Sequence, residues 1–240
     1  MKQQHIIIFF ISCFLGLSTS VWAQKNETTE TKVKKADSTK TSKYGIRLGT
    51  DVIKLTRSFI DDKYSGFEIL GDYRLTKRWF VAASLGNEER DFENNNLNVT
   101  TKGNYIKAGV DYNMHDNLFP LDNMIYSGFR VGYSNFSQTI NQSTIYDVNQ
   151  YWQPTVVNNT VREFKSLNAI WVELLMGIKA EVLNNLYVGI NVQLKYTASN
   201  DTPDNFANLY IPGVNKVFEG SKISTGINYN ISYRIPIFKK

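Results

Sequence analysis

The chain has 240 residues, with 27 Lys and Arg against 22 Asp and Glu, for a formal net charge of +5. Hydrophobic residues make up 42% and aromatics 13%, which excludes a disordered chain. The basic excess is not a nucleic-acid signature. Residues 1–23 carry only Lys2, and residues 24–43 carry six Lys against Glu27, Glu30 and Asp37, leaving 20 basic and 19 acidic residues over 44–240. A near-neutral body has no concentrated basic face for phosphates.

Residues 1–23 read as a secretory signal. Lys2 supplies the positive start, Ile6 to Leu17 the apolar core, and Val21-Trp22-Ala23 a cleavage site before Gln24. The apolar run is too short for a membrane anchor. Cleavage would remove Cys13 and His5, leaving no Cys and one His, so disulfides and Cys/His metal sites are excluded. Residues 24–43 are rich in Lys, Thr and Glu and are expected to form a disordered periplasmic tail. After residue 23 no apolar run reaches the roughly 18 residues that a spanning helix needs. Barrel strands need only about ten alternating residues each.

From Tyr44 onward period-two segments alternate with polar links, and period two places successive side chains on opposite faces of a strand. Eight segments are expected. In the first, Tyr44, Ile46, Leu48 and Val52 oppose Gly45, Arg47, Gly49 and Asp51. In the second, Phe67, Ile69, Tyr73 and Leu75 oppose Glu68, Asp72 and Arg74. The third runs from Trp79 to Asn87 with Val81, Ala83 and Leu85 on one face. In the fourth, Ile106, Ala108, Val110 and Tyr112 oppose Tyr105, Lys107, Gly109 and Asp111. In the fifth, Phe129, Val131 and Tyr133 oppose Gly128, Arg130 and Gly132. The sixth sets Ile170 to Ala180 against Glu173, Gly177, Lys179 and Glu181. The seventh sets Leu186 to Leu194 against Gly189, Asn191, Gln193 and Lys195. The eighth sets Ile223, Ile227, Tyr229, Ile231, Tyr233 and Ile235 against Ser224, Gly226, Asn228, Asn230 and Arg234.

The polar faces are rich in Gly and carry both charge signs in near balance. Seven residues are basic (Arg47, Arg74, Lys107, Arg130, Lys179, Lys195, Arg234) and six acidic (Asp51, Glu68, Asp72, Asp111, Glu173, Glu181). A narrow barrel interior needs this composition: Gly leaves room for long side chains, and opposite charges pair where water is scarce. Short links are expected at 76–78 and 183–185 and a medium one at 115–123; long links are expected at 55–63, 87–102, 137–165 and 199–221. Such alternation is the pattern of an outer-membrane barrel with short periplasmic turns and long outer loops. Tyr44, Tyr73, Trp79, Tyr112, Tyr126, Tyr187 and Tyr233 fall near the short-turn ends, where an aromatic belt would sit. The expectation is an all-β, eight-stranded, antiparallel up-and-down transmembrane barrel over 44–240. An extra hairpin from 137–165 would make ten strands.

At the C-terminus, Ser224-Thr225-Gly226-Ile227-Asn228-Tyr229-Asn230-Ile231 resembles the assembly signal of outer-membrane barrels, with Ser224, Gly226, Tyr229 and Ile231 at its key positions. The chain departs from it by ending in Phe238-Lys239-Lys240 instead of an aromatic residue. RSFIDDKYSGFEILGDYRL (57–75), TTKGNYIKAGVDYN (100–113), GIKAEVLNNLYVGI (177–190) and NLYIPGVN (208–215) resemble an uncharacterised domain-of-unknown-function family of Gram-negative outer-membrane β-barrels. A looser similarity is to the small barrels typified by outer membrane protein A. The resemblance implies a fold, an outer-membrane location, contact with outer-membrane lipid and handling by the barrel assembly machinery during insertion. It implies no substrate and no catalytic residue.

Nothing else in the sequence assembles chemistry. His115 has no Ser placed beside it, so a solvated turn is expected. Glu88-Glu89-Arg90-Asp91-Phe92-Glu93, Asp61-Asp62, and Asp201 with Asp204 lack the spacing of a calcium loop and read as solvated outer loops. No catalytic residue, cofactor, metal or nucleic-acid partner is expected. In 137–165, Tyr146, Tyr151 and Trp152 are candidate outer-loop contacts for an unassigned extracellular partner, unless they extend strands five and six or form the extra hairpin. Four functions remain: a structural or interaction protein acting through outer loops, a narrow channel or small-solute binder, a lipid-active barrel enzyme, and a soluble periplasmic binder. The charged faces and the lack of a convergent Ser/His set favour the first.

Overall fold

The structure is a computed structural model and describes residues 43–115, 122–146, 152, 155–217 and 220–239. The expected signal peptide, the tail up to Ser42 and Tyr151 lie outside the described residues. The elements in chain order are β1 (Lys43–Asp51), α1 (Val52–Ile60), β2 (Tyr64–Arg74), β3 (Trp79–Asn94), β4 (Leu97–Asn113), β5 (Met124–Tyr146), β6 (Thr155–Asn158), β7 (Arg162–Leu183), β8 (Leu186–Asn200), β9 (Tyr210–Ile211), β10 (Asn215–Lys216) and β11 (Ile223–Lys239). Eight of these close a ring, in the order β4, β3, β2, β1, β11, β8, β7, β5, with β5 pairing back to β4. Every pairing is antiparallel, and β1 meets β11 from Lys43↔Lys239 to Asp51↔Asn230.

The alternation runs opposite to that of a water-soluble barrel. On β2, Glu68 is 2% exposed while its neighbours Phe67 and Ile69 are 45% and 49% exposed. The same holds around the wall: Leu48, Leu85, Ile106, Val131, Leu174, Val192 and Ile231 point outward, and the charged and amide side chains between them are buried. Glycines make the interior possible by facing large rings across the ladder. Gly86 pairs with Tyr105 and Gly132 with Trp171, and a Cβ at either glycine would lie 2.2 Å from the opposing ring.

The apolar outer face stops at a row of amides. Above Leu85, Ile106, Tyr133 and Ile170, the next outward positions are Asn87, Asn104, Asn135 and Asn168, which are cross-strand neighbours. Asn87 donates to Asn104 at 2.8 Å, Asn135 to Asn168 at 2.9 Å, and Asn168 to Asp201 at 3.1 Å.

The links depart from expectation in three ways, and the alternatives for 137–165 resolve to one. The 87–102 link is a hairpin: β3 and β4 stay paired to Asn94↔Leu97, so Glu88 to Glu93 lie in a strand and Glu88 is buried. The described residues of 137–165 extend strands five and six upward, β5 over 23 residues and β7 over 22, with β6 paired to the tip of β5. They add no stave, and the ring has eight strands. The 52–60 stretch is helical because Asp51 caps it, accepting from the N–H groups of Ile53 (2.9 Å) and Lys54 (3.3 Å); Val52 therefore begins a helix and does not end a strand. The 199–221 link folds into the mouth as the β9–β10 hairpin. The aromatic belt also splits: Trp79 and Tyr233 are outward and half exposed, whereas Tyr126 and Tyr187 point inward and are buried.

The hairpin forms a plug. Ile211-Pro212-Gly213-Val214 is a turn closed by Val214 N–H donating to Ile211 O at 2.9 Å, with Gly213 at φ +83°. Proline second and a positive-φ glycine third are what a type II turn requires. Ile211 and Val214 then pack with Tyr105, Phe136, Leu167, Ala169 and Trp171 in an apolar cluster inside the mouth. Gln138 fixes the approach, accepting from Leu209 N–H at 3.2 Å and donating to Ala207 O at 3.1 Å. Gly213→Ala is expected to destabilise the plug by about 1–3 kcal/mol, since it combines a strained φ with a Cβ 2.8 Å from Trp171 and Tyr105. Urea unfolding of the detergent-refolded variant, followed by Trp fluorescence, measures it, and an unchanged midpoint would contradict the turn's role.

Candidate functional site

The interior is the only place where the fold gathers titratable side chains in number among the described residues, and they sort into three tiers. Nearest the short turns, Asp122 accepts from Arg74 and from Arg234 Nη1 (2.8 Å), and Arg234 Nη2 also donates to Glu181 (3.2 Å) and Asn185 (2.8 Å). The Tyr187 hydroxyl reaches Asp122 at 3.3 Å, and the Arg234 guanidinium lies over the Tyr187 ring. Asp122, just before β5, and Asn185, in the 184–185 turn, thereby tie that end together through Arg74 and Arg234.

In the middle, Asp72 takes one cation on each oxygen, Arg47 at 2.5 Å and Lys179 at 2.6 Å. The Arg47 guanidinium lies over the Phe80 ring at 4.6 Å. Arg130 Nη2 lies 2.9 and 2.8 Å from the two oxygens of Asp111. Asp51, besides capping α1, accepts from Asn228 at 2.6 Å, and Asn228 accepts from Asn191 and Asn230.

The upper tier joins barrel, helix and plug. Glu68 binds Lys107 (2.9 Å), Lys54 of α1 (2.6 Å) and the Tyr105 hydroxyl (2.7 Å). Glu88 binds Lys54 (2.7 Å), the hydroxyls of Tyr64 (3.2 Å) and Tyr210 (2.7 Å), and the Gly213 N–H (3.0 Å). Lys195 donates to Gly213 O at 2.8 Å. Glu173 faces the charges of Lys107, Lys195 and Arg130, yet neither of its oxygens accepts a hydrogen bond among the described residues.

All thirteen charged residues read from the polar faces thus point inward, twelve of them fully buried and Arg130 with its side chain 12% exposed. Three partners escaped the sequence reading. Glu88 continues the inward series Phe80, Ala82, Ser84 and Gly86, whose small residues hid its period. Asp122 continues the series Met124, Tyr126, Gly128 and Arg130 backward into a link. Lys54 enters only through the helix. With them the described interior holds eight cations and eight carboxylates.

The other candidates lie apart. Ser224 and Gly226 face the lumen, Ser224 donating to Val214 O of the plug at 3.1 Å, while Tyr229 and Ile231 face outward. Trp152 is 81% exposed, and the side chain of Tyr146 lies outside the described set. His115 follows β4, and its backbone N–H donates to the Asn113 side-chain oxygen at 3.1 Å. Asp61 pairs with Arg90 and Arg57, and the hydrogen bond from Arg90 holds its carboxyl below the usual range. Asp201 is held by Asn168. Among the described residues no three His, Cys, Asp or Glu form a metal cluster.

Residues 6–240 match the family described as a domain of unknown function, DUF6048, and the chain belongs to it. No curated protein matches the sequence. Among solved structures, the chain is similar to Ail, the attachment invasion locus protein of Yersinia pestis, at 10% identity, covering 80% of this chain and 98% of that one with a TM-score of 0.41. The same protein in complex with the heparin analogue sucrose octasulfate gives 0.40. Neisserial surface protein A gives 10% identity, 81% and 99% coverage and a TM-score of 0.41.

Removing one member of a buried ion cluster leaves an uncompensated charge, at about 3–5 kcal/mol. Asp72→Asn is therefore expected to lower the barrel's unfolding temperature in detergent sharply, by stranding Arg47 and Lys179. Arg130→Met, which strands Asp111, lowers it too, while Lys77→Gln at an exposed turn leaves it unchanged. Equal melting of Asp72→Asn and wild type would remove the network's structural role.

Proposed function

We propose that this chain is an integral outer-membrane barrel that is closed: an anchor that carries extended outer hairpins for interaction, with no catalysis of its own. The observation that carries the reading is the inverted burial, with charges inside and Ile, Val, Leu and Phe outside. Each such side chain gains about 1.5–3 kcal/mol on full burial. A wall of them in water would forgo more than the whole net stability of a domain, about 5–15 kcal/mol. In lipid the same wall is satisfied, and ring closure leaves no strand edge unpaired along most of its length.

The height of the strands supports the second half of the proposal. About ten tilted residues cross the hydrocarbon layer, while β5 and β7 have 23 and 22. Their surplus, with β6 and Trp152, rises beyond the asparagine row as an outer rim. The short turns and both barrel ends, Lys43 and Lys239, would face the periplasm, where the tail 24–42 and the barrel assembly machinery would meet them. The extracellular partner of the rim is unassigned.

Closure separates this reading from a channel. The lumen retains a cavity of about 20 Å³ beside Glu68, Asp72, Lys107, Arg130 and Lys179, space for about one water, and the plug covers the outer mouth. The purified protein in planar bilayers is expected to give no discrete conductance steps at loads where a porin conducts. Reproducible steps would contradict the closed barrel and favour a narrow solute channel.

A further inference from the structure

One stave of the wall is short. β1 ends at Asp51, opposite Asn230, and its last partner on β2 is Ile69. Beyond that level β11 continues to Ile223 and β2 to Tyr64, with no β1 between them. Helix α1 stands in the gap, and one of its side chains, Ser58, bonds the open edge of β2 at Gly66. Ser58 Oγ accepts from Gly66 N–H at 2.7 Å and lies 3.0 Å from Gly66 O; just below, Thr50 at the end of β1 donates its Oγ1 to Glu68 O at 2.9 Å.

The helix is amphipathic in the same inverted sense as the strands. Its protein-facing side is polar, with Lys54 on Glu68 and Glu88 and Ser58 on Gly66, while the more exposed Arg57 folds its guanidinium 4.2 Å above the Tyr64 ring. Its apolar side faces out: Ile53 is 40%, Phe59 86% and Ile60 77% exposed. A helix on a water-soluble domain turns its apolar stripe to the core. This one continues the outward surface of its neighbours, Phe67 and Ile69 on β2 and Ile223 and Ile227 on β11. It also sits at the margin of that surface, since Phe67 pairs with Asn87, the first of the asparagine row.

We infer that α1 is a membrane-embedded helical stave: Phe59 and Ile60 lie in the outer leaflet at the boundary between acyl chains and headgroups. An apolar helix face parallel to that boundary is how interfacial helices bind lipid. The occupant is lipid because the exposed face is continuous with the wall and the opposite face is already committed to the lumen. The inference rests on the wall itself facing lipid.

Site-directed spin labelling tests it on the full chain with Cys13→Ser, refolded in phosphatidylethanolamine/phosphatidylglycerol vesicles. Labels are placed at Phe59→Cys, Ile60→Cys, Val131→Cys in the mid-wall and Asp62→Cys in the following loop, each variant first shown to fold by heat-modifiable gel mobility. Relaxation by oxygen, which concentrates in lipid, is compared with relaxation by a water-soluble nickel chelate. The oxygen-to-nickel ratio at 59 and 60 is expected to be several-fold above that at 62 and below that at 131. A lipid-type ratio at 131 with a water-type ratio at 59 and 60 would overturn the inference and leave the barrel standing. Shielding of 59 and 60 from both reagents would overturn it in favour of a protein cover. A water-type ratio at 131 would overturn the lipid-facing wall, and the inference with it.

Discussion

Among the described residues sixteen charged side chains, eight of each sign, share the interior of this barrel, and their mutual neutralisation is the condition for everything else in the fold. A single buried carboxylate or ammonium without a partner costs several kcal/mol. The interior tolerates sixteen because almost every one has a counter-ion or a hydrogen bond supplied by a different strand. Asp72 joins β1, β2 and β7 through Arg47 and Lys179. Glu68 joins β2, β4 and α1 through Lys107, Tyr105 and Lys54. The Arg47–Asp72 tie reinforces the ladder between neighbouring strands, whereas Lys179–Asp72 joins strands on different sides of the ring and resists its flattening.

The pairing also explains how one register is selected. A slip of one residue turns every side chain of a strand to the other face. Here a slip would push Glu68 and Asp72 outward and Phe67 and Ile69 inward, so both surfaces penalise it. Glu88 extends the logic to the mouth. Its two oxygens gather Lys54 from the helix, Tyr64 and its own strand from the wall, and Tyr210 and Gly213 from the plug. The helix and the plug are thereby locked to the barrel by one carboxylate, with the Ile211–Val214 cluster sealing the space above it.

Much of this was legible in the sequence, because period-two alternation is a local property that survives without tertiary information. It placed thirteen interior charges and eight staves. The rest depended on contacts between distant segments. Glu88 was hidden by the small residues Ala82, Ser84 and Gly86, which pack against long neighbours and carry no hydrophobic period. Residues 55–63 read as a long link, since the cap at Asp51 shows only in its bonds to Ile53 and Lys54, and the inverted amphipathicity appears only once Lys54 meets Glu68 and Glu88. NLYIPGVN falls within the long link expected at 199–221. That it turns into the mouth follows from Trp171, Tyr105 and Gln138, none of them near in sequence. Tyr126 and Tyr187 looked like belt residues because they stand near strand ends; facing direction, not height, decides that role.

The central claim is that the charged face is inside and the apolar face meets lipid. Mobility in SDS gels before and after boiling, on protein taken from the membrane fraction with detergent, tests it most directly. The account predicts recovery only with detergent and a faster unheated band that shifts to the unfolded position on boiling. Recovery in the soluble fraction without detergent, with a single band at both temperatures, would contradict it.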